Sequence, residues 1–201
     1  MEKKKGISGS TLKMIAIVTM LIDHIGAAVL ARLLMVNGLG ELDQTNTDAI
    51  MQWLSANGAL YWTYTVMRMI GRVAFPIFCF LLVEGFLHTH DVKKYAMRLG
   101  LFALLSEIPF DLMYGGTWFY PVHQNVIWTF ILGLLGIHIM ETVRKKKKTP
   151  VFVLTAILVT IAGGLLGTLT MVDYYGIGVL TVFIFYFFRG RKWWCLLGQI
   201  A

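Results

Sequence analysis

The side chains of this sequence that could do chemistry stand where they are costly to keep. Asp23 and His24 sit side by side in an apolar run, Arg68 and Arg72 are four apart in another, and Glu107 and Asp111 are four apart in a third. Glu84, Arg98 and His138 also lie among apolar neighbours, with Gln124, Asn125, Asp173 and Tyr174 at the edges of such runs. Residues four apart share a helix face, so two cations on one helix can meet two carboxylates on the next. Adjacent residues are ~100° apart on a helix, so Asp23 and His24 cannot stack: one is expected to face a cation and the other a cavity. By helix rise Asp23 lies ~18 Å from the inner end of its span and Arg72 ~15 Å from the outer end of the next, both near the midplane, so Arg72 is the expected counter-charge of Asp23, in one cavity with Glu107. Imidazole titrates near neutral pH, which makes His24 the best candidate for proton transfer. The plainer reading is a set of buried ion pairs that fixes helix register. The spread of these groups over most of the apolar runs exceeds that need and points to a polar cavity.

The elements that must position them follow from composition. The chain has 201 residues, of which 57% are hydrophobic and 14% charged, and its mean hydropathy is +0.69. A soluble domain carries roughly 25% charged residues, so lipid is the expected solvent for most of this surface. The length suits about six spans of ~20 residues. The expected fold is all-α, a polytopic transmembrane bundle forming a single integral membrane domain over residues 1–201. Its spans are read at 11–36, 62–87, 92–114, 124–143, 151–169 and 174–188. Residues 37–60 are polar and acidic and read as a loop with a short interfacial helix at 48–54. The last segment, 193–201, would cover only ~14 Å of a ~30 Å core; it is expected to lie in the interface or to be a truncated seventh span. Lys3, Lys4 and Lys5 before an apolar stretch resemble a signal peptide, but Asp23 and His24 interrupt it, and an uncleaved first span is expected.

The net charge of +7 is gathered in clusters. Lys3–Lys5, Lys93 with Lys94, the basic run 144–148, and Arg189 with Arg191 and Lys192 fall on one side of the six-span arrangement. By the positive-inside rule that side, with the N-terminus, is cytoplasmic. Nucleic acid is not an expected partner; the lipid bilayer is. The basic run reads as a topology signal first and a phosphate contact second. His88, His90 and Asp91 lack a fourth ligand, so no metal is expected. Cys79 and Cys195 read as small buried thiols. Pro76 and Pro109 are expected to kink the second and third spans. Gly133, Gly136, Gly163, Gly164 and Gly167 read as close helix packing, and the aromatics of 183–188 as lipid-facing. His123 has no assigned role.

Several motifs then occur together in order: Leu12-Lys13-Met14-Ile15-Ala16 leading to Ile22-Asp23-His24-Ile25-Gly26; Arg68-Met69-Ile70-Gly71-Arg72-Val73-Ala74-Phe75-Pro76-Ile77-Phe78; Val83-Glu84-Gly85-Phe86; Arg98 with Ser106-Glu107-Ile108-Pro109-Phe110-Asp111; Gln124-Asn125-Val126 with Thr129 and Gly133; and Asp173-Tyr174-Tyr175-Gly176-Ile177-Gly178. In this combination the sequence resembles the TraX family over nearly its whole length. The family's namesake acetylates the N-terminus of F pilin at the inner membrane of conjugating bacteria. The resemblance implies an integral enzyme of the bacterial inner membrane, acetyl-CoA as cytoplasmic donor, and an amine acceptor such as the N-terminus of a membrane or exported peptide.

Acyl transfer to an amine needs a base for the ammonium proton and a cation or donor for the oxyanion. In that scheme His24 is the base, oriented by Asp23. Arg72 or Asn125 holds the oxyanion, and Glu107 or Asp111 binds the amine. Arg68, Glu84, Arg98, Asp173 and Tyr174 join the binding set, and the basic run 144–148 or Lys93 and Lys94 meets the phosphates of acetyl-CoA. The competing reading is a proton-coupled transporter that uses the same charges as a relay.

Overall fold

The computed structural model describes residues 7–146 and 148–190. Lys3–Lys5, Lys147, Arg191, Lys192, Cys195 and the expected interfacial segment 193–201 lie outside the described residues. The described chain is all-α: α1 (Gly9–Ile25), a π-helical turn (Gly26–Leu30), α2 (Ala31–Val36), a 3-10 turn (Leu39–Glu41), α3 (Thr47–Gly71), α4 (Ala74–His88), α5 (Val92–Tyr114), α6 (Val126–Lys146), α7 (Thr149–Leu169) and α8 (Tyr175–Phe187). Among the described residues four stretches are long and apolar enough to cross a membrane: Gly9–Val36, Thr47–His88, Val126–Lys146 and Thr149–Leu169. α5 carries the charges that the sequence singled out, and α8 is a shorter apolar helix of 13 residues.

Capping explains several of the boundaries. The Ser8 hydroxyl accepts the Thr11 amide at 3.1 Å and starts α1; such a cap supplies an acceptor for an amide that has no partner within the helix. The π turn then carries α1 into α2 without a break, its last turn closing by a bond from the Ala31 amide to the Gly26 carbonyl. After α2, Gly38 takes a left-handed conformation (φ 84°) that ends the helix. Hydrogen bonds from the Thr45 hydroxyl and amide shape the next turn and hold the Asp43 carboxyl below its usual range. The Asn46 side chain accepts the Ala49 amide and opens α3.

α3 therefore begins at Thr47, not near Trp62, and the expected 37–60 loop shrinks to 37–46. The polar side chains that made the segment look like a loop bond to its own helix: Ser55 donates to the Gln52 carbonyl and Asn57 to the Trp53 carbonyl. Thr47–His88 spans 42 residues, about twice a membrane crossing at ~1.5 Å per residue, and it is interrupted at Arg72–Val73. Pro76 accounts for that break. It was expected inside a kinked span, but it is the third residue of α4, in the first turn, where its missing N–H removes no helical bond. Pro109 lies inside α5 as expected.

The described chain divides into two compact units, Met1–Phe78 and Cys79–Ala201. In the first, α1, the π turn and α2 pack on α3. In the second, α5 packs on α6, and α6, α7 and α8 pack on one another. Glycine makes that three-helix contact possible. A Cβ on Gly176 would overlap the Gly164 carbonyl, and one on Gly136 would overlap the Phe183 ring. Phe183 is consequently 2% exposed, alongside the fully buried Val179 and Val182. The expectation that 183–188 faces lipid is thus corrected for Phe183 and for the 9%-exposed Phe185, whereas Phe187 stays exposed. Cys79 is fully buried, as a small packed thiol.

Candidate functional site

In the first unit the charged pair is built across α1 and α3. Arg68 Nη1 donates to Asp23 Oδ2 at 2.6 Å, with the side chains 31% and 22% exposed. Gly71 makes the approach possible, because any Cβ there would collide with the Asp23 side chain. The sequence placed Arg72 at the depth of Asp23, but the partner is Arg68. Arg72 follows Gly71 as the cap of α3, is exposed, and forms no ion pair among the described residues.

His24 faces away from that pair, as the 100° step between neighbours requires. It is exposed, and its Nδ1 lies 2.8 Å from the Met20 carbonyl. A carbonyl only accepts, so we assign the proton to Nδ1 and the lone pair of the neutral ring to Nε2. The π turn starts two residues later at Gly26; such extra-residue turns recur at functional sites.

In the second unit Glu107, on α5, is held from α6. One carboxylate oxygen accepts the Trp128 indole N–H at 2.9 Å and also the Asn125 amide. Asn125, 3% exposed, donates as well to the Ala103 carbonyl at 2.8 Å and accepts the Ile127 amide at 3.0 Å. Asn125 therefore ties α5 to the start of α6 with its full amide. Asp111, one turn beyond Glu107 and 2% exposed, accepts the Tyr120 amide at 2.9 Å and so fixes the α5–α6 loop. Glu107 Oε1 and Asp111 Oδ1 are buried without a hydrogen-bond partner among the described residues. Buried acceptors left without donors are uncommon in folded proteins.

The loop before α6 lies against the loop before α8. The Gln124 amide donates to the Met171 carbonyl and the Asp173 amide to the Gln124 carbonyl, both at 2.9 Å; Thr129 adds a bond to the Asp173 carbonyl at 2.6 Å. This junction brings His123 Nε2 to 3.6 Å from Asp173 Oδ1. The His123 ring is packed among Phe110, Tyr114 and Tyr175, with centroids 5.5, 5.2 and 5.9 Å away. Met171, Tyr174 and Tyr175 adopt left-handed backbone (φ 54°, 62° and 49°), the non-glycine residues to do so among those described. Such backbone costs about 1–3 kcal/mol per residue and tends to mark functional sites. The Tyr174 amide joins this junction, bonding to Asp173 Oδ1 at 3.1 Å.

The remaining candidates lie elsewhere. Glu84 Oε1 accepts from Arg189 Nε at 2.6 Å at the far end of the second unit. Arg98 and His138 are exposed, and Arg98 has no ion pair among the described residues. Sequence reasoning passed over His123, Trp128 and the buried Glu141 with Tyr186. The adjacency of His123 to Gln124 and Asn125 was the available signal for the first; the others carry none until α6 and α8 are docked. Among the described residues no group of three or more His, Cys, Asp and Glu is arranged to hold a metal.

Known proteins add the context of this site. The chain is 29% identical over 146 residues, 69% of its length, to "Probable fimbrial assembly protein FimC, serogroup H1" of Dichelobacter nodosus, and it spans about half (49%) of that relative. No solved structure matches it. The family profile described as TraX protein matches residues 8–199, which takes in both units and every candidate residue, and the chain belongs to the TraX protein family.

Proposed function

We propose that this chain is an integral membrane acyltransferase that moves an acetyl group from acetyl-CoA to an amine at a polar site within the bilayer. The observation that carries the reading is the pair of buried, unpartnered oxygens Glu107 Oε1 and Asp111 Oδ1 on one face of α5. Ionised carboxylates only accept hydrogen bonds, and an ammonium supplies three donors and the opposite charge. Asp173, at the same end of the second unit, extends this acidic surface. Membership of the TraX family supports the chemistry, and the name of the fimbrial relative supports a pilus-type peptide as the acceptor. The basic ends of α6 and α8 would face the cytoplasm, where acetyl-CoA is found, with the N-terminus on that side.

In the transfer the ammonium gives up a proton, and its nitrogen attacks the thioester carbonyl. The C–N bond forms, the C–S bond breaks, and the products are the acetamide, the free thiol of CoA and one released proton. The first unit carries a base of the kind that this step needs, His24 Nε2, its Nδ1–H remaining on the Met20 carbonyl. The same unit carries, in the Asp23–Arg68 pair, a guanidinium on α3 beside α1, the kind of donor that stabilises the negative charge growing on a carbonyl oxygen. Incubating the purified protein with labelled acetyl-CoA and a panel of peptide and sugar amines tests the proposal. Acetylated amine is expected. Absence of transfer, with proton or solute movement in proteoliposomes instead, would replace it with the transporter reading.

A further inference from the structure

The end of the second unit away from Asp173 holds a cavity of about 300 Å³ lined by Leu87, Arg144, Phe152, Tyr186, Phe187 and Arg189. Its two guanidiniums come from different parts of the chain and are each fixed from behind by a carboxylate. Arg144 Nη2 donates to Glu141 Oε1 at 2.8 Å, and Arg189 Nε donates to Glu84 Oε1 at 2.6 Å. Glu141, 6% exposed, is itself pinned by the Tyr186 hydroxyl at 2.7 Å, with Lys145 Nζ 3.7 Å away. An exposed ion pair formed only for solubility has no need of a buried carboxylate held from two helices.

A guanidinium carries five N–H donors, and these bonds engage one on each arginine. Both arginines line one cavity, each tethered by one carboxylate and each with further N–H donors beyond that bond. Pre-ordering of this kind lowers the entropy lost on binding. Arg144, Lys145 and Arg189 outnumber Glu84 and Glu141, and Lys146 and Lys148 follow close in the chain, so the site is cationic. The forked guanidinium matches phosphate oxygens. Leu87, Phe152 and Phe187 make the other wall apolar and partly aromatic.

We propose that this cavity binds a phosphate ester, with Arg144 and Arg189 clasping the phosphate and Phe152 and Phe187 lying against its organic part. That chemistry has two sources: a soluble nucleotide-type ester and the headgroup of an anionic phospholipid. The nucleotide source rests on the acyltransferase reading, which needs a site for the phosphates of acetyl-CoA; the test reads binding alone, so failure to bind and failure to transfer acetyl are told apart.

The full chain, reconstituted in phosphatidylcholine nanodiscs, is titrated with adenosine 3′,5′-bisphosphate. Separately, phosphatidylglycerol replaces a fraction of the phosphatidylcholine. Thermal unfolding and equilibrium binding are read in both arms. A rise in Tm in at least one arm is expected, and the responding arm names the source. Arg144→Gln/Arg189→Gln should weaken binding by at least about tenfold, the loss expected for charge-assisted hydrogen bonds. If that double variant does not fold, Arg189→Lys alone serves: it keeps the charge, loses the fork, and should bind more weakly than wild type. Wild-type protein that responds in neither arm, or folded variants that bind as tightly as wild type, would overturn the proposal.

Discussion

Arg68 reaches Asp23 at 2.6 Å across the α1–α3 contact, and Gly71, three residues further along α3, leaves the space in which that carboxylate sits. The two arginines of the motif are therefore not equivalent: one is bonded within the first unit, and the other caps the helix. Arg68→Ala should strip Asp23 of its counter-charge, and losing one partner of a buried pair costs ~3–5 kcal/mol. With each side chain 22–31% exposed, the lower end of that range is expected. Arg72→Ala should leave the unfolding midpoint in detergent near wild type. A midpoint that falls more for Arg72→Ala than for Arg68→Ala would contradict the pairing.

Gly71→Ala is a stricter test of the same contact. The added methyl must displace Asp23, so the ion pair has to lengthen or α1 has to move. Overpacking of this kind typically costs ~1–3 kcal/mol. Truncating the carboxylate as well, in Asp23→Ala/Gly71→Ala, should recover part of the loss, since the overlap is with that side chain. Equal stability of Gly71→Ala and wild type would show that the helices do not approach this closely.

In the second unit Asn125→Ala should be more damaging than its size implies. It leaves Glu107 with the Trp128 indole as its remaining side-chain donor and removes a bond to the Ala103 carbonyl. Leaving buried polar groups unsatisfied costs about 1–3 kcal/mol each. Asn125→Asp should be at least as harmful, because it sets a second carboxylate against Glu107. Near-wild-type melting of both variants would mean that α5 and α6 are held by apolar contact alone.

The helices were legible in the sequence, because apolar runs of span length are the mark of membrane helices, and so was the need of Asp23 for a cation, because a charge embedded in such a run is costly unless it is paired. The choice of partner was not. Arg68 and Arg72 share a face, so helix depth cannot separate them; the decision rests on Gly71 and on the break that Pro76 imposes at the next helix. The start of α3 was hidden because Ser55 and Asn57 satisfy their hydrogen bonds on their own helix, where a sequence reading sees loop-forming residues. Phe183 read as lipid-facing because an aromatic run gives no hint of the slot that Gly136 and Gly163 open for its ring. The role of His123 is not legible in the sequence because its partner, Asp173, lies fifty residues away and reaches it through loop-to-loop backbone bonds.

The two histidines of the candidate sites carry opposite expectations, and testing them together separates chemistry from structure. His24 has Nδ1 committed to Met20, and its ring is exposed, which leaves Nε2 a lone pair that can reach a substrate. His123 is 18% exposed, wedged among Phe110, Tyr114 and Tyr175, with Nε2 turned toward Asp173, which suits a packing and loop-joining role. If the chain transfers acetyl groups as proposed, His24→Ala should lower turnover by ~10²–10⁴, the usual contribution of a general base, while the melting midpoint stays near wild type. His24→Gln can still donate to the Met20 carbonyl but offers no basic nitrogen, so it should not restore turnover. His123→Ala should instead open a void under three rings and cost about 1–3 kcal/mol, with turnover falling only as far as folded protein is lost. Paired measurements of labelled acetyl transfer and thermal unfolding on the same preparations decide the matter. Normal turnover in folded His24→Ala, with a large loss in folded His123→Ala, would move the proton-accepting role from α1 to the α5–α6 loop.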